Sequence, residues 1–158
     1  MEAAGRCRTR RAIRGWLRIV VGYDGSAPAS RALDAAVRLL QGRIGCIDVV
    51  WVAHLSSTVR LSADAIVEME AACDELEPEL RAQAAGQLHG RGAIWEFQRR
   101  QGLIADELIA VAAGIRDARP GQGVVIVIGG SSHATHRMAG SVAVSRARHA
   151  PVPLVIGP

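Results

Sequence analysis

Val124-Val125-Ile126-Val127-Ile128-Gly129-Gly130 is the most hydrophobic run of this 158-residue chain. Five apolar residues without a polar alternate predict a strand buried on both faces, the habit of parallel sheets. Upstream, Ile104, Leu108, Val111 and Ile115 recur at helical spacing until Pro120-Gly121 stops them. Downstream, a glycine-rich turn leads to a short helix over Ser141–His149, ended by Pro151. A last strand follows, Val152-Pro153-Leu154-Val155-Ile156. Strands joined by crossovers of this length pair in parallel.

The rest of the chain repeats the pattern. Leu17-Arg18-Ile19-Val20-Val21-Gly22-Tyr23 reads as a first strand that ends in the turn Asp24-Gly25-Ser26. Ser26 is placed to cap a helix over 27–40, with Pro28 in its first turn. Ile47-Asp48-Val49-Val50-Trp51-Val52-Ala53 is the second strand. After Ser62, Ile66, Met69, Cys73, Leu76, Leu80, Ala84 and Leu88 trace one stripe of a long helix, in which Pro78 predicts a kink or a break. The acids crowding that helix, among them Glu68, Glu70, Asp74 and Glu75, predict a solvated face. Residues 93–99 alternate as a third strand, and Gly102 breaks it. Five strands and four helices in strict alternation give an α/β fold, a single doubly wound domain over 17–158 with a five-stranded parallel sheet and helices on both faces. Residues 1–16 form an arginine-rich arm.

Composition narrows the function. With 49% hydrophobic and 22% charged residues the chain is globular, and no stretch reaches the roughly 20 apolar residues of a membrane span. No membrane partner is expected. The net charge of +4 is uneven: residues 1–18 carry +5, and the remainder is nearly neutral at −1. Such an arm suits nucleic acid or an anionic surface, or is a plain extension. With 3% aromatic residues and none interleaved with the arginines, nucleic acid is not the expected partner. Three cysteines without a CxxC pairing fit a reducing compartment and exclude a disulfide framework or a cysteine-rich zinc site. No secretory core follows the basic residues, so the expected compartment is the cytoplasm.

In a doubly wound sheet ligands bind at the carboxyl ends of the strands, where the strand order switches. Asp24, leaving the first strand, suits ribose hydroxyls, a base or a metal; its plainer role is to bond its own turn. The segment 129–141 is richer. Gly129 and Gly130 permit close backbone approach, and Gly140-Ser141 opens a helix whose free N–H groups attract anions. Ser131, Ser132, Thr135 and Ser141 add hydroxyls, and Arg137 adds a bidentate phosphate donor. The plainer reading is an ordinary turn with Ser141 as a cap. His133 and His136 stand three apart without a carboxylate or thiol nearby in sequence, so no metal site is expected. Asp106 and Glu107 are expected to face solvent. No P-loop and no GxSxG elbow occurs, and catalysis has little support.

The run Arg18 to Ser26 with Ser30-Arg31-Ala32-Leu33, the run Ile126 to Gly129 through Gly140-Ser141-Val142, and the close from His149 to Ile156 together resemble the universal stress protein family. The resemblance covers about 17–158. It implies a Rossmann-like domain that dimerises through its last strand, 152–156, with some members binding ATP, with or without Mg, and others not. In the binding members a G-x2-G-x9-G-S/T loop holds phosphates. Carried over by position, Asp24 would hold ribose or base with Tyr23 beside it, and Val52 would line the adenine pocket. Gly129, Gly130, Gly140, Ser141 and Val142 would line the phosphate site.

The loop departs from that pattern. Counting from Gly129, Ser132 replaces the second glycine and only seven residues, 133–139, precede Gly140. Pairing Gly130 with Gly140 restores nine and puts Val127 at the first glycine position. Arg137 and His133 offer phosphate contacts in compensation. The expected function is therefore a stress-response regulator binding ATP or a related nucleotide, with at most slow hydrolysis. The alternative is a dimeric interaction protein of the same family that binds no nucleotide.

Overall fold

The apolar runs of the sequence become strands in the computed structural model, which describes residues 15–53, 62–130 and 152–157. The elements are β1 (Leu17–Gly22), α1 (Ala27–Leu40), β2 (Gly45–Ala53), α2 (Ala63–Leu88), β3 (Ile94–Gln101), α3 (Ile104–Ala118), β4 (Gly123–Gly129) and β5 (Leu154–Gly157). All pairings are parallel, in the order β3-β2-β1-β4-β5. The helix expected over 141–149 lies outside the described residues.

Side-chain parity assigns the two faces. Ile19, Val21, Ile47, Val49, Phe97 and Val127 pack beneath α1 and α2. Val20, Val50, Val124 and Ile126 pack beneath α3. Fully buried side chains such as Ile19, Leu33 and Ile47 each contribute about 2 kcal/mol of burial. The predicted cap forms, with Ser26 Oγ accepting from the Ala29 N–H at 3.3 Å, and Ser62 Oγ likewise caps α2 by accepting from the Ala65 N–H at 3.3 Å.

The structure refines the reading at several points. Of the kink or break expected at Pro78, the break is not found: α2 runs on from Ala63 to Leu88. The proline removes one backbone bond, while burial of Leu80, Ala84 and Leu88 holds the half that follows it. The third strand extends beyond the alternating segment to Gln101, held in parallel against Ala53. Arg18, within the expected first strand, is buried: its Nε donates to Asp48 Oδ2 at 2.8 Å, and its Nη2 bonds Asp48 Oδ1. Burial raises the pKa of Asp48, and the Arg18 bonds oppose that rise. Cys46 is fully buried on β2, and Cys73 keeps a free thiol.

Candidate functional site

Strand order reverses between β1, which continues to β2, and β4, which continues to β5. Val21 stands beside Val127 in that central pair. The next residues out, 22–26 and 129–130, therefore flank the crevice at the switch point, the expected place for a ligand.

Parity decides what each residue presents there. Tyr23 continues the Ile19–Val21 face, so its ring packs with α1 and α2 at 4% exposure. Burial raises its phenol pKa, a hydrogen bond with Ser30 opposes the rise, and the Asp24 charge adds to it. Tyr23 thus contributes backbone and support to the crevice. Asp24 is the first exposed residue of the turn. Its Oδ1 accepts the Ser26 N–H at 3.0 Å, and the Ser26 carbonyl accepts the Ser30 N–H at 2.9 Å. The turn-forming role is therefore real, and it holds the carboxylate at the sheet edge.

Gly25 takes φ +79°, and a Cβ on it would lie 2.7 Å from Leu80 Cδ2. This turn requires glycine both for its backbone and for the close approach of α2. On the other face, Leu108 of α3 fills the space over Gly22, where an added Cβ would meet its Cδ1 at 3.1 Å. Val52 belongs to the cluster beneath α3 and is almost fully buried.

Gly129 and Gly130 sit at the switch point, with neighbours other than those the sequence suggested. A Cβ on Gly129 would lie 2.2 Å from the Pro28 carbonyl oxygen, so this glycine admits the first turn of α1. The Gly130 N–H donates to the Gly157 carbonyl at 3.1 Å, a bond that extends the β4–β5 ladder. Ser132, His133, Arg137, Gly140, Ser141 and Val142 lie outside the described residues.

Sequence reasoning passed over two arginines at the carboxyl end of β3. Arg99 bonds Asp74 and lies over the Trp51 ring at 5.9 Å, and Arg100 Nε donates to Glu107 Oε2 at 3.0 Å. Glu107 is therefore an ion-pair partner and is not simply solvated. The tandem Arg99-Arg100 at a strand end was the available signal. An anion reaching these arginines must compete with carboxylates already in place. Among the described residues no group of three His, Cys, Asp or Glu is placed to hold a metal, and no helix is long and apolar enough to cross a membrane.

The fold has close parallels among solved structures. A universal stress protein family member from Burkholderia pseudomallei is 23% identical, with TM-score 0.60, over 89% of this chain and 95% of its own. UspA from Lactobacillus plantarum is 19% identical, with TM-score 0.68, over 92% of this chain and 99% of its own. The universal stress protein from Archaeoglobus fulgidus, solved in complex with dAMP, is 18% identical, with TM-score 0.56, over 91% of this chain and 99% of its own. No match is found among curated proteins. The universal stress protein family model matches residues 15–158, and the chain belongs to that family.

Proposed function

We propose that this chain is a nucleotide-responsive regulator that binds ATP or a related adenine nucleotide at the β1–β4 switch point. The observation that carries the reading is Asp24, an exposed carboxylate held at the carboxyl edge by the Ser26 N–H. An acceptor fixed in this way loses little conformational freedom on meeting a ribose. The dAMP bound to the Archaeoglobus fulgidus relative, which has the same fold, supports a nucleotide of this class. In this assignment Asp24 accepts from ribose or base, with Val52 at the edge of the adenine pocket. Ser132, His133, Arg137, Gly140, Ser141 and Val142 serve the phosphates, with Mg as their counter-ion. Gly129 and Gly130 set the spacing of the loop, with the Gly130 amide bonded to Gly157. The protein works in the cytoplasm, and hydrolysis is slow at most.

A second copy would complete the assembly through β5, a four-residue edge strand whose Ile156 is 51% exposed. An apolar edge of this kind seeks a partner. A monomer by sedimentation at micromolar concentration would remove this part of the proposal.

The direct test is to purify the protein without added nucleotide, denature it and identify what it releases by mass spectrometry. Near-stoichiometric adenine nucleotide supports the proposal. An empty protein whose melting temperature also ignores millimolar ATP rejects it. The reading would then pass to the dimeric interaction protein.

A further inference from the structure

Helix α2 has 26 residues, about 39 Å at the α-helical rise, and its buried residues are Leu80, Ala84 and Leu88, all in its last third. Leu80 touches the Gly25 turn at the carboxyl end of β1. The preceding residues 63–79 therefore continue some 25 Å past that contact, and none of them is buried. Helices in water draw most of their stability from packing an apolar face. Here Val67 is 65% exposed, and Pro78, Ala82 and Ala85 border a recess of about 600 Å³ closed on the other side by Trp95 of the edge strand β3. Val67, Pro78, Ala82 and Ala85 share one helical face.

Acids dominate the charge around this face, although Arg81 also lines the recess. From Asp64 to Glu79 the helix carries seven acids and no base. Arg99 holds Asp74 and Glu77, and Arg81 also bonds Glu77. Asp64, Glu68, Glu70, Glu75 and Glu79 form no ion pair with a described base. A second copy of α2 laid on this surface would oppose like charges, so self-association through it is disfavoured. We infer that the projecting half of α2, with the recess beside Trp95, docks a basic amphipathic segment of another polypeptide. That segment sets its apolar side chains against Val67 and the recess, and its Arg or Lys residues against the unpaired acids. Steering by the acids speeds encounter, and desolvation in the recess supplies the hold. The inference stands apart from nucleotide binding, because none of its residues is assigned to the nucleotide.

A labelled synthetic amphipathic helical peptide, with Arg along one face and Leu along the other, supplies the required chemistry. It is titrated by anisotropy into the full chain at low salt. Saturable binding is expected, weakened about tenfold or more by Glu68→Lys/Glu70→Lys/Glu75→Lys and severalfold by Val67→Ser. All four positions are exposed, so circular dichroism should report intact folds. The inference is overturned by absence of saturable binding, or by indifference to the charge reversals. Indifference to Val67→Ser would mean charge adhesion without docking and overturns it equally. A change of oligomeric state in the triple variant would make the surface a self-interface instead.

Discussion

Removing Asp48 tests whether the sheet depends on an ion pair that its hydrophobic pattern hides. Asp48 is 1% exposed and Arg18 5% exposed, on neighbouring strands, with a two-pronged contact between them. Asp48→Ala deletes both carboxylate acceptors of this contact beneath α3. Breaking one side of a buried pair costs about 3–5 kcal/mol, against a total stability of about 5–15 kcal/mol. Both residues also line a recess of about 330 Å³ beside α3, which admits water and sets the expectation near the lower figure. At about 2–4 °C per kcal/mol for a chain of this size, the melting point should fall by roughly 6–12 °C. Arg18→Met/Asp48→Leu removes both charges at similar volume and should restore stability to within about 1 kcal/mol of the parent, or exceed it. Urea denaturation of parent, both single variants and the double variant gives the coupling energy directly. Single losses that simply add in the double variant would refute the argument, because the two side chains would then act independently.

Three further outcomes follow from the same geometry. Asp24→Ala should weaken adenine nucleotide binding by about 1–3 kcal/mol, a loss of roughly five- to 150-fold by calorimetry. Asp24→Asn keeps the acceptor for the Ser26 N–H and isolates the charge, and unchanged affinity in both variants would remove Asp24 from the site. Gly129→Ala should cost about 3 kcal/mol of stability by urea denaturation, at the upper end of overpacking, since the new methyl collides with the Pro28 carbonyl; a neutral result would mean that α1 does not approach so closely. The chain has a single tyrosine, so absorbance at 295 nm isolates Tyr23. Its folded pKa lies above the ordinary 10.0, so its contribution to stability is full below about pH 10 and is lost as pH rises past that value. Ionisation at the ordinary value with the fold intact would contradict its burial.

The fold was legible because many weak signals agree. Ser26 and Ser62 mark helix starts, and uninterrupted Val124–Ile128 marks a central strand. What periodicity missed is instructive. Arg18 and Asp48 read as interruptions of apolar runs, since a one-dimensional pattern cannot show that parallel register sets the two strands side by side. Pro78 reads as a kink or a break, because local propensity ignores the burial of Leu80, Ala84 and Leu88 that carries the helix through. Tyr23 could have been placed correctly by counting: two residues beyond Val21, it belongs to the same buried face, and Asp24 is the first side chain free of it.

The glycines at the switch point show why a site is harder to read than a fold. Glycine in a sequence reports that something comes close, and it does not name the neighbour. At Gly129 the neighbour is the first turn of α1, and at Gly130 the N–H is drawn to the last strand. Both residues would be required in a member that never met a nucleotide. Asp24 is different, because the turn uses one of its oxygens while its carboxylate stays in solvent at the sheet edge. Ser or Asn would supply the same turn without the charge. The charge itself is therefore the feature that folding leaves unexplained, and Asp24→Asn separates the turn from the ligand.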